Sequence, residues 1–299
     1  MTEESSLQDY TKITVQPASR NCGAFISGID LKASLEDTVY REIHAALMRH
    51  QVVFFRDQDV TPHEQVTFAR NFGPIRIKHR SAFEIDENTP EVSIIINDRE
   101  HPPYIDHYHA DGMFREKPEF ASLLKAESPP EMGGDTIFVS LTAAWNGLSD
   151  AMRATLEDKI AVYDFMRLHS SPEKARNWTG PSREGMFKSR DENPPVQHPL
   201  VPAHPVTGEQ CLYFSESFTS AILELNKYES EAMHALLTRH CAKPEFQYRL
   251  QWRKGTIALW DNLASLHYAV ADYWPDTRVM HRLTILEDAI GATRAAAAE

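Results

Sequence analysis

Nine short runs rich in β-branched and aromatic residues are spread along almost the whole chain, at 13–15, 51–55 (QVVFF), 92–96 (VSIII), 121–125, 136–139, 212–214, 248–252, 256–260 and 282–286. Runs this short cannot bury an apolar face alone. They must pair with segments distant in sequence, which commits the chain to packed or closed sheets. No period of 20–50 residues recurs, and no Gly/Ser linker divides the 299 residues into two compositions, so residues 1–299 read as one domain rather than a solenoid or a string of modules.

Helical segments are fewer. Thr61 is followed by Pro62 at the first helical position and by Glu64 three residues on, a capping box ahead of Val66, Phe68 and Ala69, and this helix should stop near Phe72 and Gly73. Further helices are expected at 36–49, where Val39, Ile43, Ala46 and Leu47 share a face, at 142–156 and at 229–240. Residues 167–197 are polar, contain proline and lack sustained periodicity, which marks a candidate active-site lid, and the terminal 291–299 (GATRAAAAE) is expected to fray.

Charge and cysteine usage remove several function classes. Lys and Arg number 31 against 43 Asp and Glu, a net charge of −12, which argues against nucleic acid or an anionic membrane as partner. Cys22, Cys211 and Cys241 are far apart and form no CxxC, so neither a disulfide framework nor a thiolate zinc site is expected. No basic start leads into an apolar stretch and no run of 18 apolar residues occurs; a soluble, cytoplasmic protein is the expectation. There is no GxGxxG, no GxxxxGKS/T and no GxSxG, and His63-Glu64 lacks the second histidine of a zincin helix.

What remains is the question of which of the 14 histidines converge on a metal. In HADGMF, His109 and Asp111 are two apart, so an extended backbone turns an imidazole and a carboxylate to one side. The same pair also fits a surface histidine beside a solvated aspartate. Near the C-terminus, His267 follows a β-rich run and a turn at Asp261-Asn262, with Arg278 and Arg282 four apart downstream. A single histidine there also fits a hydrogen-bonded core residue. Two guanidinium groups on one face without an acidic partner in register call for an anion. Two imidazoles and a carboxylate occupy one face of an octahedral ferrous ion and leave three positions open, enough for a 2-oxo acid and dioxygen. In that arrangement His109, Asp111 and His267 hold iron, Arg278 receives the far carboxylate of 2-oxoglutarate, and Arg282 receives a second anion. Zinc on the same three ligands stays chemically allowed.

At these residues the sequence resembles the TauD/TfdA family of Fe(II)- and 2-oxoglutarate-dependent dioxygenases, its taurine-type members above all. The resemblance runs through RHQVVFFRDQDVTP (49–62), HADGMF, GGDTIF (133–138), HPVTGEQCLYFSESFT (204–219) and WDNLASLHYAVADYWPDTRVMHR (260–282) in that order. It implies a mainly β fold with flanking helices, a double-stranded β-helix or cupin-like jelly roll. It implies His109, Asp111 and His267 as iron ligands, Thr136 and Arg278 on 2-oxoglutarate, and Arg282, the backbone N–H of Gly112 and the ring of Phe218 around a small anionic substrate. Thr136 also fits a plain strand threonine and Phe218 a core aromatic. Lys78 stands where taurine enzymes carry an anion-binding histidine, with Arg76 and Arg80 nearby. His169 replaces a phenylalanine of their pocket, and Ile105 a polar residue. Relatives commonly form dimers or tetramers, so a homo-oligomer is expected. The implied reaction hydroxylates taurine or a related alkylsulfonate, with release of sulfite and an aldehyde beside succinate and carbon dioxide; a sulfate ester or an aryloxyalkanoate is the alternative substrate. Readings outside the class are a zinc hydrolase and a non-enzymatic jelly roll that binds anions.

Overall fold

The computed structural model of the chain describes residues 10–77, 84–86, 88–169, 188 and 190–296. Its largest sheet has eight strands, among them β1 (Thr14–Pro17), β2 (Ala24–Ser27) and β4 (Glu84–Asp86), in the order β1-β2-β3-β12-β6-β14-β5-β4, antiparallel except for β2 beside β3. The strands that position the site are β3 (Val52–Phe55), β5 (Thr89–Asn97), β6 (Ala121–Ser128), β12 (Ile257–Asp261) and β14 (Arg278–Ile285). A second sheet, β11-β7-β13, is built from Gln247–Leu250, Thr136–Ser140 and Ser265–Ala269. A third, β10-β8-β9, joins Thr219–Ile222, Ile160–Tyr163 and Val196–Pro199.

Strand alternation sorts the side chains into layers. On β3, Val53 and Phe55 face outward with Leu123, Leu259, Leu283 and Ile285, where helices α1 (Asp37–His50) and α2 (Pro62–Arg70) cover them with Ile43, Leu47, Val66 and Phe68. Val52 and Phe54 face the other way with Leu124, Ala126, Ala258, Trp260 and Met280, and meet Phe138 and Leu250 of the second sheet. The two sheets therefore sandwich an apolar layer, as the jelly-roll expectation requires. QVVFF is buried on both faces, which explains its unbroken apolar run.

The capping box at Thr61 forms: its hydroxyl accepts from the N–H of Glu64, and the Glu64 carboxylate accepts from the N–H of Thr61 at 2.7 Å. The expected helix at 142–156 is instead two, α3 (Leu141–Asn146) and α4 (Asp150–Leu156), because Ser149 caps a new N-terminus by accepting from the N–H of Met152. Short α5 is Phe165–His169, and α6 (Lys227–Cys241) starts two residues before the expected 229, at a second capping box on Asn226. Residues 212–214 form no strand, although Leu212, Tyr213 and Phe214 are buried. Strand β14 begins at Arg278 rather than 282 because β5 pairs with it from Arg278 opposite Asn97. The tail expected to fray from 291 continues as helix α7 (Ala289–Ala296), where Asp288 accepts from the N–H of Gly291 at 2.7 Å and alanine-rich sequence favours the helix. Of the candidate lid at 167–197, the ends fall in α5 and β9; residues 170–187 and 189 lie outside the described residues.

Candidate metal centre

His267 lies on β13, directly opposite Phe138 of β7. Residues opposite one another in an antiparallel pair share a face, so its imidazole points with Phe138 into the layer between the sheets. His109 reaches the same place from a segment that joins β13 through a single bridge, with both backbone bonds made: His109 N–H to the His267 carbonyl at 3.0 Å and His267 N–H to the His109 carbonyl at 2.8 Å. The pairing sets the two rings against each other, tilted by 49° with centroids 4.1 Å apart. Asp111, two residues on, turns its carboxylate to the same side. Oδ1 of Asp111 stands 3.8 Å from Nε2 of each imidazole, and one ligand atom from each of the three residues lies within 4.8 Å of the others. All three side chains are buried.

The donor set fits a first-row divalent ion. The Nδ1–H of His109 donates to the carbonyl of His107 at 2.9 Å, which fixes the tautomer and leaves Nε2 with a bare lone pair. Burial pushes both imidazoles below the ordinary histidine value, so they stay neutral ligands. Burial alone would raise the Asp111 carboxyl, but Arg282, the two imidazoles and the Ser122 hydroxyl more than offset it and hold the group ionised well below the ordinary carboxylate range. These three atoms would hold such an ion between them.

The second oxygen of Asp111 is fully engaged. Oδ2 accepts from Ser122 Oγ at 2.6 Å and from Arg282 Nη2 at 2.5 Å. Asn262 Oδ1 accepts the N–H of Asp111 at 3.2 Å and the indole N–H of Trp260 at 3.0 Å. Upstream, Ser215 and Ser217 donate to the carbonyl of Tyr108 at 3.0 and 3.4 Å and so anchor the segment that carries His109. The sequence marked the SESFT block through Phe218 alone; these two serines were missed, and their only signal was membership in that block.

Arg278 and Arg282 share β14 and, four apart, the same inner face. Arg278 is 5% exposed, donates from Nε to the Gly134 carbonyl at 3.2 Å and lies against the Tyr273 ring, with no carboxylate in ion-pair range among the described residues. Burial lowers its pKa, yet a guanidinium remains charged, so this cation awaits an anion. Thr136 is buried on β7, where its hydroxyl oxygen accepts the indole N–H of Trp252 at 2.9 Å and keeps its own proton free to donate. Phe218 packs edge-on to His109 and continues through Phe114 to Phe165, an aromatic wall leading away from the ligands.

Gly112 follows Asp111 with φ of +68°, and a Cβ there would sit 2.8 Å from Cγ of Glu119, whose carboxylate is held by Arg76 at 2.9 Å and Arg115 at 3.3 Å. Gly112→Ala should therefore destabilise the metal-free protein by about 2–4 kcal/mol, the sum of a left-handed backbone and an overpacked contact, read as a lowered thermal midpoint. Lys78, Arg80 and the side chain of His169 lie outside the described residues. Ile105 is half-buried.

Among the described residues no helix is long and apolar enough to cross a membrane. A sulfate ester dioxygenase dependent on alpha-ketoglutarate (2-oxoglutarate) from Pseudomonas putida is 29% identical over 92% of this chain and 89% of its own length. The alpha-ketoglutarate-dependent 2,4-dichlorophenoxyacetate dioxygenase of Cupriavidus pinatubonensis is 28% identical over 93% and 99%. The crystal structure of a taurine dioxygenase from Burkholderia xenovorans superposes with a TM-score of 0.78 at 33% identity, covering 93% of this chain and 90% of that one. Residues 14–284 match the model of the taurine catabolism dioxygenase TauD, TfdA family, and the chain, with its cupin-like jelly roll, belongs to that family.

Proposed function

We propose that the protein is an Fe(II)- and 2-oxoglutarate-dependent dioxygenase that hydroxylates a small anionic organosulfur substrate, taurine or a related alkylsulfonate in the first instance. The observation that carries this reading is the buried His109, Asp111 and His267 cluster together with a buried guanidinium, Arg278, that has no acidic partner in ion-pair range among the described residues. Ferrous iron, when bound, supplies dioxygen chemistry that turns 2-oxoglutarate into succinate and carbon dioxide and puts one oxygen atom into a C–H bond of the substrate. The alkylsulfonate reading is supported by relatives whose names give sulfate esters and sulfonates as substrates, and the aryloxyalkanoate relative keeps that class on the test panel.

The chain's own part is binding, orientation and exclusion of water. Arg278 and Thr136 receive the far carboxylate of 2-oxoglutarate. His109, Asp111 and His267 hold iron from one side only. Arg282, whose Nε is buried without a hydrogen-bond partner among the described residues, takes the substrate anion together with the Gly112 N–H, and the ring of Phe218 walls the pocket. Lys78 and His169 are proposed as further contacts to the substrate. Hydroxylation beside sulfur gives a product that collapses to sulfite and an aldehyde.

The test is succinate formation with Fe(II), ascorbate and air across sulfonates, sulfate esters and aryloxyalkanoates, repeated without 2-oxoglutarate and without oxygen. Succinate and substrate-dependent sulfite are expected. Product formed without oxygen or 2-oxoglutarate means a hydrolase, and anion binding that survives chelation without succinate means a binding module. Arg282→Ala is expected to raise the substrate KM about 10–100-fold, the loss of one charge-assisted contact of about 1.5–3 kcal/mol, as read by steady-state kinetics at saturating 2-oxoglutarate.

A further inference from the structure

The HPVTGEQ block (204–210) supplies none of the ligands above, yet it places a fully buried histidine against a fully buried aspartate. His204 and Asp261 have side chains 2% and 1% exposed and meet through Nε2 and Oδ2 at 2.8 Å. Nδ1 of His204 accepts from the N–H groups of Val206 at 3.2 Å and Thr207 at 3.3 Å, so the proton sits on Nε2 and is donated to Asp261. The other carboxylate oxygen accepts from the N–H groups of Leu263 at 2.8 Å and Ala264 at 3.3 Å, and the Asp261 carbonyl accepts from Ser265 Oγ at 2.6 Å. One carboxylate thus closes the turn between β12 and β13.

That turn leads in two directions. Its far end opens the strand that carries His267. Its second residue, Asn262, accepts the N–H of Asp111, and its amide donates to Ser122 Oγ at 3.2 Å, which in turn donates to Asp111 Oδ2. An unbroken series of hydrogen bonds and one tight turn therefore connects His204 to both the backbone and the carboxylate of Asp111. A second His–Asp pair, His44 Nε2 with Asp288 at 2.8 and 3.0 Å, ties α1 to the residue before α7; its imidazole is buried, its carboxylate is partly exposed, and among the described residues it shares no hydrogen-bond partner with the metal ligands.

We propose that His204 is a positioning residue of the metal centre, setting through Asp261, Asn262 and Ser122 the direction in which Asp111 presents its free oxygen. This rests on the metal reading above. Groups that orient ligands from outside the coordination sphere change metal affinity about 10–100-fold when lost, and the geometry here gives that effect a defined route.

His204→Leu removes the donor and roughly keeps the volume. In the metal-free protein it should speed amide hydrogen exchange at Asp111 by about tenfold or more, and it should weaken Mn(II) binding about 10–100-fold. His204→Gln, whose amide can donate to Asp261, should restore both. His44→Leu should lower the thermal midpoint while leaving Asp111 exchange and Mn(II) affinity at wild-type values. The proposal is overturned if His204→Leu changes exchange and affinity no more than His44→Leu does. Should the leucine variant not fold, the isosteric Asp261→Asn, whose single carbonyl oxygen cannot accept from both the His204 Nε2–H and the Leu263 and Ala264 N–H groups, must show the same two changes; wild-type values there overturn the proposal equally. A wild-type protein that binds no Mn(II) or Fe(II) would refute the metal reading separately, because the exchange comparison needs no metal.

Discussion

His267→Ala should abolish succinate formation to below about one part in 10³ of wild type, because loss of a direct ligand exceeds the 10–100-fold cost of losing a group outside the coordination sphere. The same variant should lose little as a fold. Among the described residues the His267 side chain makes no hydrogen bond: Nδ1 is buried without a partner, and Nε2 stands 3.8 Å from Asp111. What it contributes there is packing against Trp260 and Phe138, with ring centroids 4.8 and 6.4 Å away. The check is a pair of melting curves. Wild type should gain about 2.7 kcal/mol when Mn(II) is present at a hundred times its dissociation constant, and His267→Ala should gain nothing at the same concentration. A variant that still binds metal and turns over would leave the three-ligand assignment untenable.

The histidines also set the direction of the pH response. Burial is the first cause that lowers both His109 and His267 from 6.5, so in the window just below that value the unfolded chain holds more protons than the folded one. Their contribution to the stability of the metal-free protein is complete above 6.5 and is lost as pH falls through the folded values. Metal uptake should follow the same sense, persisting through mildly acidic solution and failing once the imidazoles are protonated. Asp111 adds a second loss at lower pH, since its carboxyl is held below 3.8 chiefly by Arg282 against the effect of burial.

Much of this site was legible because period-two geometry does the work. His109 and Asp111 are two apart and Arg278 and Arg282 four apart, and each pair does share a face. What no local pattern carried was the join between them. The bridge from His109 to His267 spans more than half the chain, and strand β13, which holds His267, was not among the expected runs because SLHYA has neither a β-branched residue nor clean alternation. It is a strand because β7 offers a complete register, Ser265 to Ala269 against Ser140 to Thr136. Residues 212–214 failed in the opposite way. Leu-Tyr-Phe reads as β, but the N–H groups of Leu212 and Tyr213 go to the Leu141 and Leu200 carbonyls, far apart in sequence, and that of Phe214 to the Leu212 carbonyl, rather than to one partner strand. Burial explains their composition and says nothing of pairing. The spacing leads one to expect an external anion at Arg282, whereas its Nη2 rests on Asp111, a contact between residues 171 apart that no spacing rule reaches.

Arg278→Met should separate binding of 2-oxoglutarate from stability in opposite directions. In the absence of 2-oxoglutarate Arg278 is a buried cation whose one neutral hydrogen bond, to the Gly134 carbonyl, does not repay the loss of water, and replacing such a charge by an apolar side chain of similar length is neutral or stabilising. The metal-free variant should therefore melt no lower than wild type. With 2-oxoglutarate the balance reverses. In the proposed binding mode the guanidinium and the far carboxylate would form a desolvated pair, and truncating one member of such a pair costs about 2–5 kcal/mol, so the KM for 2-oxoglutarate should rise by roughly two orders of magnitude or more. Arg278→Lys keeps the charge and loses the planar fork, and should fall between the two. Titrating 2-oxoglutarate into Mn(II)-loaded protein and following the shift in thermal midpoint reads the binding loss without turnover. Methionine at 278 with an unchanged 2-oxoglutarate titration would move the far carboxylate to another cation, and Arg282, on the same face of the same strand, would be the next to test.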